Sequence, residues 1–455
     1  MPPKSKLVFD ATQWSLQHNE TPFSYFKLNN VFSEQTAVNE LRNAVSRLTF
    51  TQKMTDMFSF SATKNFWISK KSLKNAVFGD FLKFLEFFRD FLSDKFEVKL
   101  DDKISVSSSL YENKDYLLCH DDKSDDRLIA FIFYLNSSWK PEWGGSLDIF
   151  DHDENGQPVD IVHQIYPEFN SLIFFKVGNY TYHQVSEVTT NVTPRITING
   201  WFHSKEAYNL KPLPFSDPPV PYIKTRDNVA TLYLNHFASN EFTQLKYMEI
   251  IVENLRECGV MMLQNFLKPQ IYTKIAKELK SSAISWSTKG PANRRKYNYA
   301  EQHSLPPMCK ALLSFFQSQY MCSYLEELSS KKLFNKKKGE QEYGGLCFAE
   351  MQYWQDGCYS LLADDDNNYN IASVDVFLFF NVDKDEEESF NQDSVIQPGN
   401  IYYYEKFDTS NKHEVEPKSN SICLVVKNKN ETRYVSYINK NSSLKYNVLF
   451  LSFKI

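Results

Sequence analysis

The sequence predicts an α+β protein made of two similar domains, each a run of helices followed by antiparallel strands that close into a sandwich or barrel. Three observations carry this. The chain has 455 residues, more than one ordinary core accommodates and enough for two or three domains. Near its middle, Pro212, Pro214, Pro218, Pro219 and Pro221 fall close together, forbidding helix and favouring an extended spacer. On both sides of that spacer, apolar residues at helical spacing give way to short runs of period two. The expected division is a first domain over 1–210, a linker over 211–228 and a second domain over 229–455.

In the first domain helices are expected over 32–48 and 73–96, the latter marked by Val77, Phe81, Phe84, Leu85, Phe88 and Leu92 on one face. Strands follow over 104–111, 128–136, 146–151, 171–177, 182–188 and 195–203. After the linker the order returns, with helices over 242–257, 272–281 and 307–328, then strands over 348–354, 374–381, 400–407, 421–427 and 447–453. Helices then strands, twice, implies an internal duplication. A hydrophobic fraction of 42% with 37 Phe and 26 Tyr excludes wholesale disorder. The net charge of −5 lacks the basic excess of a phosphate-backbone binder, so no direct nucleic-acid partner is expected. No apolar run has signal-peptide or membrane-span length, which reads as a soluble, unexported chain with no membrane partner. Seven scattered cysteines without a Cys-x-x-Cys pair indicate reduced thiols. The basic run over 331–338 and the acidic run over 383–388 read as solvated loops.

The chemistry concentrates in one constellation. Leu117-Leu118-Cys119-His120-Asp121-Asp122 ends an apolar stretch with His120 and Asp122 two positions apart, which on an extended strand would face the same way. His183, in Tyr182-His183-Gln184-Val185, supplies a second imidazole from another expected strand. Two imidazoles and one carboxylate leave open positions on an octahedral ion, as non-haem Fe(II) oxygenases require. About a dozen residues after His183, Arg195 opens a strand whose parity puts Arg195, Thr197, Asn199 and Trp201 on one face and Ile196, Ile198 and Phe202 on the other. A guanidinium at the inner end of such a strand is costly to bury unpaired, and the distal carboxylate of a dicarboxylic cosubstrate would relieve that cost bidentately. The same triad also suits a Zn²⁺ hydrolase, but Arg195 has no evident use there.

The motifs His120-Asp121-Asp122, His183 and Arg195, together with Trp143-Gly144-Gly145-Ser146-Leu147-Asp148 and Gly200-Trp201-Phe202-His203, resemble the Fe(II)- and 2-oxoglutarate-dependent dioxygenases, and within them the ribosomal prolyl-hydroxylase branch. The resemblance implies two double-stranded β-helix (jelly-roll) domains each flanked by helices, the second degenerate. It implies that His120, Asp122 and His183 bind iron and form the catalytic centre, and that Arg195 holds the far carboxylate of 2-oxoglutarate. Tyr134 would assist that arginine, and Tyr111 would lie near the cosubstrate. The implied activity consumes O₂, with ascorbate in support, and hydroxylates C3 of a proline in the small-subunit ribosomal protein at the decoding centre, affecting translation accuracy and termination. Translation-termination or mRNA-associated factors would be further partners, and cytoplasm and nucleus the compartments. Asp121, Asp125 and Asp126 are expected at the mouth of the site.

The second domain serves as an internal control. Tyr359-Ser360-Leu361-Leu362-Ala363-Asp364-Asp365 lines up with Tyr116 to Asp122, placing Ala363 where the first ligand should be. Lys412-His413-Glu414-Val415 echoes Tyr182 to Val185, and the strand after it, over 421–426, has no arginine. A methyl group cannot ligate iron, so this domain is expected to pack, dimerise or dock substrate. The competing reading for the whole chain is a non-catalytic oxygen- or 2-oxoglutarate-responsive binding protein on the same fold. His152, His163 and His203 lack a carboxylate suitably placed and are left out of the site.

Overall fold

The helices of the first half carry apolar faces that need a sheet to pack against. In the computed structural model α1 spans Gln35–Val45 and α2 Ala76–Phe96, and α2 buries Val77, Phe81, Phe84, Leu85, Phe88 and Leu92 along one side. The structure describes residues 6–66, 76–124, 126–209, 219–226, 234–333, 344–362, 371–384, 396–405, 411–440 and 442–455. Two compact units divide the chain, Met1–Phe215 with Pro291–Asn293, and Ser216–Gly290 with Arg294–Ile455.

The strands of the first unit are β1 Ser15–Asn19, β2 Tyr25–Asn29, β3 Thr51–Met54, β4 Phe58–Ala62, β5 Ile104–Tyr111, β6 Tyr116–His120, β7 Arg127–Tyr134, β8 Leu147–His152, β9 Pro158–Ile165, β10 Ser171–Lys176, β11 His183–Val185 and β12 Arg195–His203. They run in space as β1-β2-β10-β7-β12-β5-β4-β6-β11-β8-β9, with β3 on β4. The rows β10-β7-β12-β5 and β6-β11-β8-β9 are the two sheets of a jelly roll, here joined at one side by β4, which bonds both β5 and β6. In the first row Phe131, Phe133, Ile196, Ile198 and Phe202 meet the helices, while Ala130 and Ile132 turn into the barrel. Burial on both faces explains the unbroken apolar run of β7.

The second unit has strands β13 Ile223–Lys224, β14 Val260–Leu263, β15 Trp286–Lys289, β16 Arg295–Ala300, β17 Leu346–Trp354, β18 Tyr359–Ser360, β19 Ser373–Asp383, β20 Ile401–Glu405, β21 Asn411–Val415, β22 Ile422–Lys427, β23 Glu431–Val435 and β24 Lys445–Lys454. Its helices are α3 Leu234–Phe237, α4 Leu245–Cys258, α5 Pro269–Glu278, α6 Pro307–Phe316 and α7 Gln319–Ser329. The strand order β14-β22-β19-β24-β17-β16-β18-β23-β20-β21 repeats β2-β10-β7-β12-β5-β4-β6-β11-β8-β9 strand for strand. Two jelly rolls in one chain are therefore present. Among the described residues no helix is long and apolar enough to cross a membrane.

The strand order corrects one expectation. His413 lies on β21, the counterpart of β9, and the strand over 421–426 is β22, the counterpart of β10. The counterparts of the His183 and Arg195 strands are β23 and β24. Two shared contacts fix the register. Asn170 and Asn420 both have left-handed backbones, φ 58° and 56°, and each side chain bonds the N–H and the C=O of one loop residue, Phe32 in the first unit and Leu267 in the second. Arg195 Nε donates to the Gly145 carbonyl at 2.8 Å where Tyr446 Oη donates to the Gly399 carbonyl at 2.9 Å.

Smaller differences have local causes. The helix expected over 307–328 breaks in two because Ser318 caps α7, its hydroxyl accepting from the Met321 N–H. Within the expected linker, Ile223–Lys224 pairs with β17 and Tyr222 bonds Ser452, so that stretch belongs to the second sheet. Strands β1 to β4, β9, β14, β15, β16, β18, β21 and β23 are additional to those expected. Pro212, Pro214, Pro218, Asp125, Ala363, Asp364, Asp365, 334–338 of the basic run and 385–388 of the acidic run lie outside the described residues.

Candidate metal and cosubstrate site

The site begins with a strand pairing. β6 and β11 are antiparallel neighbours whose register sets His120 directly against His183, with ring centroids 4.3 Å apart. Asp122 joins them by a different route from simple strand alternation. β6 ends at His120, and Asp122 takes a left-handed backbone, φ 61°, that turns its carboxylate back between the rings. That conformation costs an L-residue about 1–2 kcal/mol, a strain that persists only where its surroundings demand it. Asp122 Oδ1 lies 3.4 Å from His120 Nε2 and Oδ2 lies 3.3 Å from His183 Nε2.

The other ring nitrogens settle what the triad is built for. His120 Nδ1 bonds the Leu118 carbonyl at 2.8 Å, and His183 Nδ1 bonds the Thr181 carbonyl at 2.7 Å. A carbonyl only accepts, so each Nδ1 carries a proton and each ring turns its Nε2 toward the Asp122 carboxylate. With both Nε2 atoms deprotonated, as metal ligands are, two lone pairs face one carboxylate, and a cation held between them relieves the repulsion. The three ligand atoms lie within 4.8 Å of one another, and the backbone carbonyls supply the orienting outer contacts that metal-bound imidazoles use. These residues fit one divalent ion. Burial tends to lower the His120 pKa and the Asp122 carboxylate overrides it, so the imidazole is raised; burial tends to raise Asp122, and His183 with His120 hold it well below the usual carboxylate range.

Arg195 is 1% exposed, and its guanidinium stands 5.1 Å over the Tyr111 ring and 5.3 Å over the Tyr134 ring. Its Nε is satisfied by Gly145, but buried Nη2 has no hydrogen-bond partner, and neither has the buried hydroxyl of Tyr134. An orphaned buried guanidinium nitrogen is a several-kcal/mol liability that a carboxylate removes. Tyr111 lines the cavity, stacked on Phe60 at 4.9 Å, while Tyr134 packs behind Arg195. Burial, partly offset by Arg195, raises both phenols, so they stay protonated donors. Gly145 is required here: at φ 65° a Cβ would stand 3.1 Å from Arg195 Cδ.

Triad and arginine open into one cavity of about 250 Å³, walled by Phe58, Phe60, Ile132, Leu147 and Phe175. Thr197, Asn199 and Trp201 line it, as strand parity predicts, and the buried Trp201 Nε1 offers another unsatisfied donor. Sequence reasoning missed the Phe58 and Phe60 wall, although Phe58-Ser59-Phe60-Ser61 carries the period-two signal of a strand. The expected acidic mouth is not formed by Asp126, which bonds His203 at 2.5 Å and Lys103 at 3.0 Å away from the cavity lining. His152 stacks on Tyr180 and His163 bonds Tyr25, so the three histidines left out of the site stand apart from the triad.

Comparison with known proteins agrees with this geometry. Residues 106–203 match a family model described as the 2OG-Fe(II) oxygenase superfamily, and residues 230–455 match one described as the oxoglutarate and iron-dependent oxygenase degradation C-terminal domain. Prolyl 3-hydroxylase OGFOD1 of Mus musculus is 28% identical over 92% of this chain and 85% of its own length. Prolyl 3-hydroxylase sudestada1 of Drosophila melanogaster is 27% identical over 97% of this chain and 84% of its own. Among solved structures, a Pseudomonas putida prolyl-4-hydroxylase aligns over 40% of this chain and 92% of its own at 18% identity and a TM-score of 0.33.

Proposed function

For a chain that belongs to the 2OG-Fe(II) oxygenase superfamily, and so uses Fe(II), 2-oxoglutarate and O₂, we propose peptidyl-proline C3 hydroxylation as the reaction, carried out in the first barrel. The observation that carries it is the convergence of the His120, Asp122, His183 triad and the orphaned Arg195 Nη2 on one cavity. Relatives named prolyl 3-hydroxylase over nearly the whole chain support proline as the target and C3 as the position.

The bound ion, with 2-oxoglutarate and O₂, supplies oxidative decarboxylation to succinate and CO₂ coupled to hydroxylation of a C–H bond. The protein's part is placement. His120, Asp122 and His183 would hold the ion through Nε2, a carboxylate oxygen and Nε2. Arg195 Nη2 takes the distal carboxylate of the keto acid, and Tyr134 Oη donates to the same group. The walls of Phe58, Phe60, Ile132 and Phe175 keep water from the reacting atoms.

The substrate proposed is the proline-bearing loop of the small-subunit ribosomal protein at the decoding centre, with translation accuracy and termination as the process affected. Ascorbate is proposed to support turnover, termination or mRNA-associated factors as partners, and cytoplasm and nucleus as the compartments, where a ribosomal protein is made and assembled. The second barrel is proposed to be non-catalytic. The test is succinate release with a peptide of that loop, comparing wild type, His120→Ala and Arg195→Ala, with mass spectrometry of the peptide. A +16 Da prolyl product in wild type alone supports the reading. Equal succinate in all three chains would sink it and leave a binding role.

A further inference from the structure

The second barrel encloses a cavity of about 370 Å³, larger than the one in the first. Its chemistry follows from what occupies the counterparts of the catalytic positions. With Gly399 matching Gly145, Ile401 matches Leu147 and Tyr403 matches Ile149. Arg433 pairs with Tyr403 as His183 pairs with Ile149, so Arg433 stands at the strand position of His183. Tyr446 stands at that of Arg195, packed between Trp354 and Phe379 with its hydroxyl spent on Gly399. The cationic group has crossed from one side of the barrel to the other.

Arg433 is held firmly. Its Nη1 bonds Asp375 Oδ2 at 3.0 Å, and its guanidinium lies on the Phe450 ring at 3.8 Å. Asp375, 1% exposed, also accepts from Tyr403, Ser373 and Ser452, each at 2.8 Å, so its four hydrogen bonds leave it little further capacity. Arg433 lines the cavity with its side chain still 30% exposed. Lys289, Arg295 and Lys427 line it too, Lys289 pairing with Glu350 at 3.7 Å, so cations outnumber Asp375, the one carboxylate among the described lining residues. The remaining wall is apolar and aromatic, chiefly Phe348, Trp354, Phe377, Val435 and Phe450.

We propose that the second barrel binds a small organic acid, its carboxylate on the Arg433 fork and its hydrocarbon or aromatic body against Phe377, Phe450 and Trp354. A positioned guanidinium with an open edge matches a carboxylate, and the apolar wall favours an organic body over a bare inorganic anion. The proposal is independent of the reaction in the first barrel.

The experiment is calorimetric titration of the full, EDTA-treated chain with 3-phenylpropionate, hexanoate and inorganic phosphate. Asp375→Asn/Arg433→Met removes both charges together and so leaves neither buried alone; Val435→Phe keeps the pair and fills the space. Arg195→Ala reports on the first barrel. Wild type and Arg195→Ala should bind phenylpropionate equally, and the two second-barrel variants should lose at least about tenfold in affinity while keeping the wild-type circular-dichroism spectrum. The proposal fails if folded wild type takes up neither organic acid, or if phosphate binds as tightly as phenylpropionate. It fails equally if the second-barrel variants bind unchanged, or if Arg195→Ala abolishes binding.

Discussion

Asn170 in the first barrel and Asn420 in the second do the same work, each clamping a loop backbone through both ends of its amide. Gly145 and Gly399 likewise offer equivalent carbonyls. The interiors nevertheless diverge at each matched site position: His183 against Arg433, Arg195 against Tyr446, Tyr111 against Trp354, Tyr134 against Phe379. The skeleton is set by backbone contacts that any lining tolerates, whereas the chemistry is set by a few inward side chains free to change. One barrel presents a metal-competent triad and an orphaned guanidinium, the other fills the guanidinium's place with aromatic rings.

The sharpest way to break this contrast is to copy one barrel into the other. His183→Arg should abolish succinate formation, by a factor on the order of 10³ or more, because a guanidinium cannot ligate. The same variant should lose the rise in melting temperature that Mn(II) gives the wild type, worth about 2.7 kcal/mol at a hundredfold excess over Kd. Retained turnover would mean that the matched positions do not define the site. Next, Arg195→Met should weaken 2-oxoglutarate by about 2–5 kcal/mol, seen as a rise in its KM with iron binding intact.

Two further variants test the shared skeleton. Asn170→Ala and Asn420→Ala each remove two hydrogen bonds to buried backbone groups and should each cost about 2 kcal/mol, or about 4–8 °C in the melting of the unit concerned. A silent Asn420→Ala would show that the second barrel does not depend on this clamp. The smallest effect concerns Glu431. Burial tends to raise its carboxyl, but Lys412 and Asn428 outweigh that and lower it. A carboxyl lowered in the folded state stabilises above its unfolded pKa of about 4.3, and that gain is lost as pH falls through the folded value. Glu431→Gln should therefore melt a few degrees below wild type at pH 7, the gap closing as the pH falls below the ordinary carboxylate range.

Much of this was legible in the chain. The phenylalanine spacing of α2 is a helical face, and β5 and β12 keep the bounds their alternation implies. His120, Asp122, His183 and Arg195 could be picked out because ligand chemistry restricts residue types severely. Strand alternation points to Asp122 for a partly mistaken reason, since a left-handed turn, invisible in residue type, brings it to the rings. The second barrel was misregistered by two strands because His413 happens to repeat a His-x-Val pattern, while the true counterpart, Arg433, shares no side-chain chemistry with His183. Charged or polar strands such as Arg295–Ala300 and Glu431–Val435 hide from periodicity when cations such as Arg295 and Arg433 stand among their cavity-lining residues.

One contact has a consequence for metal supply. Because the imidazoles of His120 and His183 are each fixed by a carbonyl two residues back in their own chain, the nest is already shaped before any ion arrives. A ready-made His₂Asp nest ranks first-row divalent ions by their intrinsic affinity order, in which nickel and zinc outrank ferrous iron. Selectivity then falls to the cell: the working enzyme depends on how scarce those competitors are kept relative to iron, and mild nickel or zinc overload should silence it without disturbing its fold.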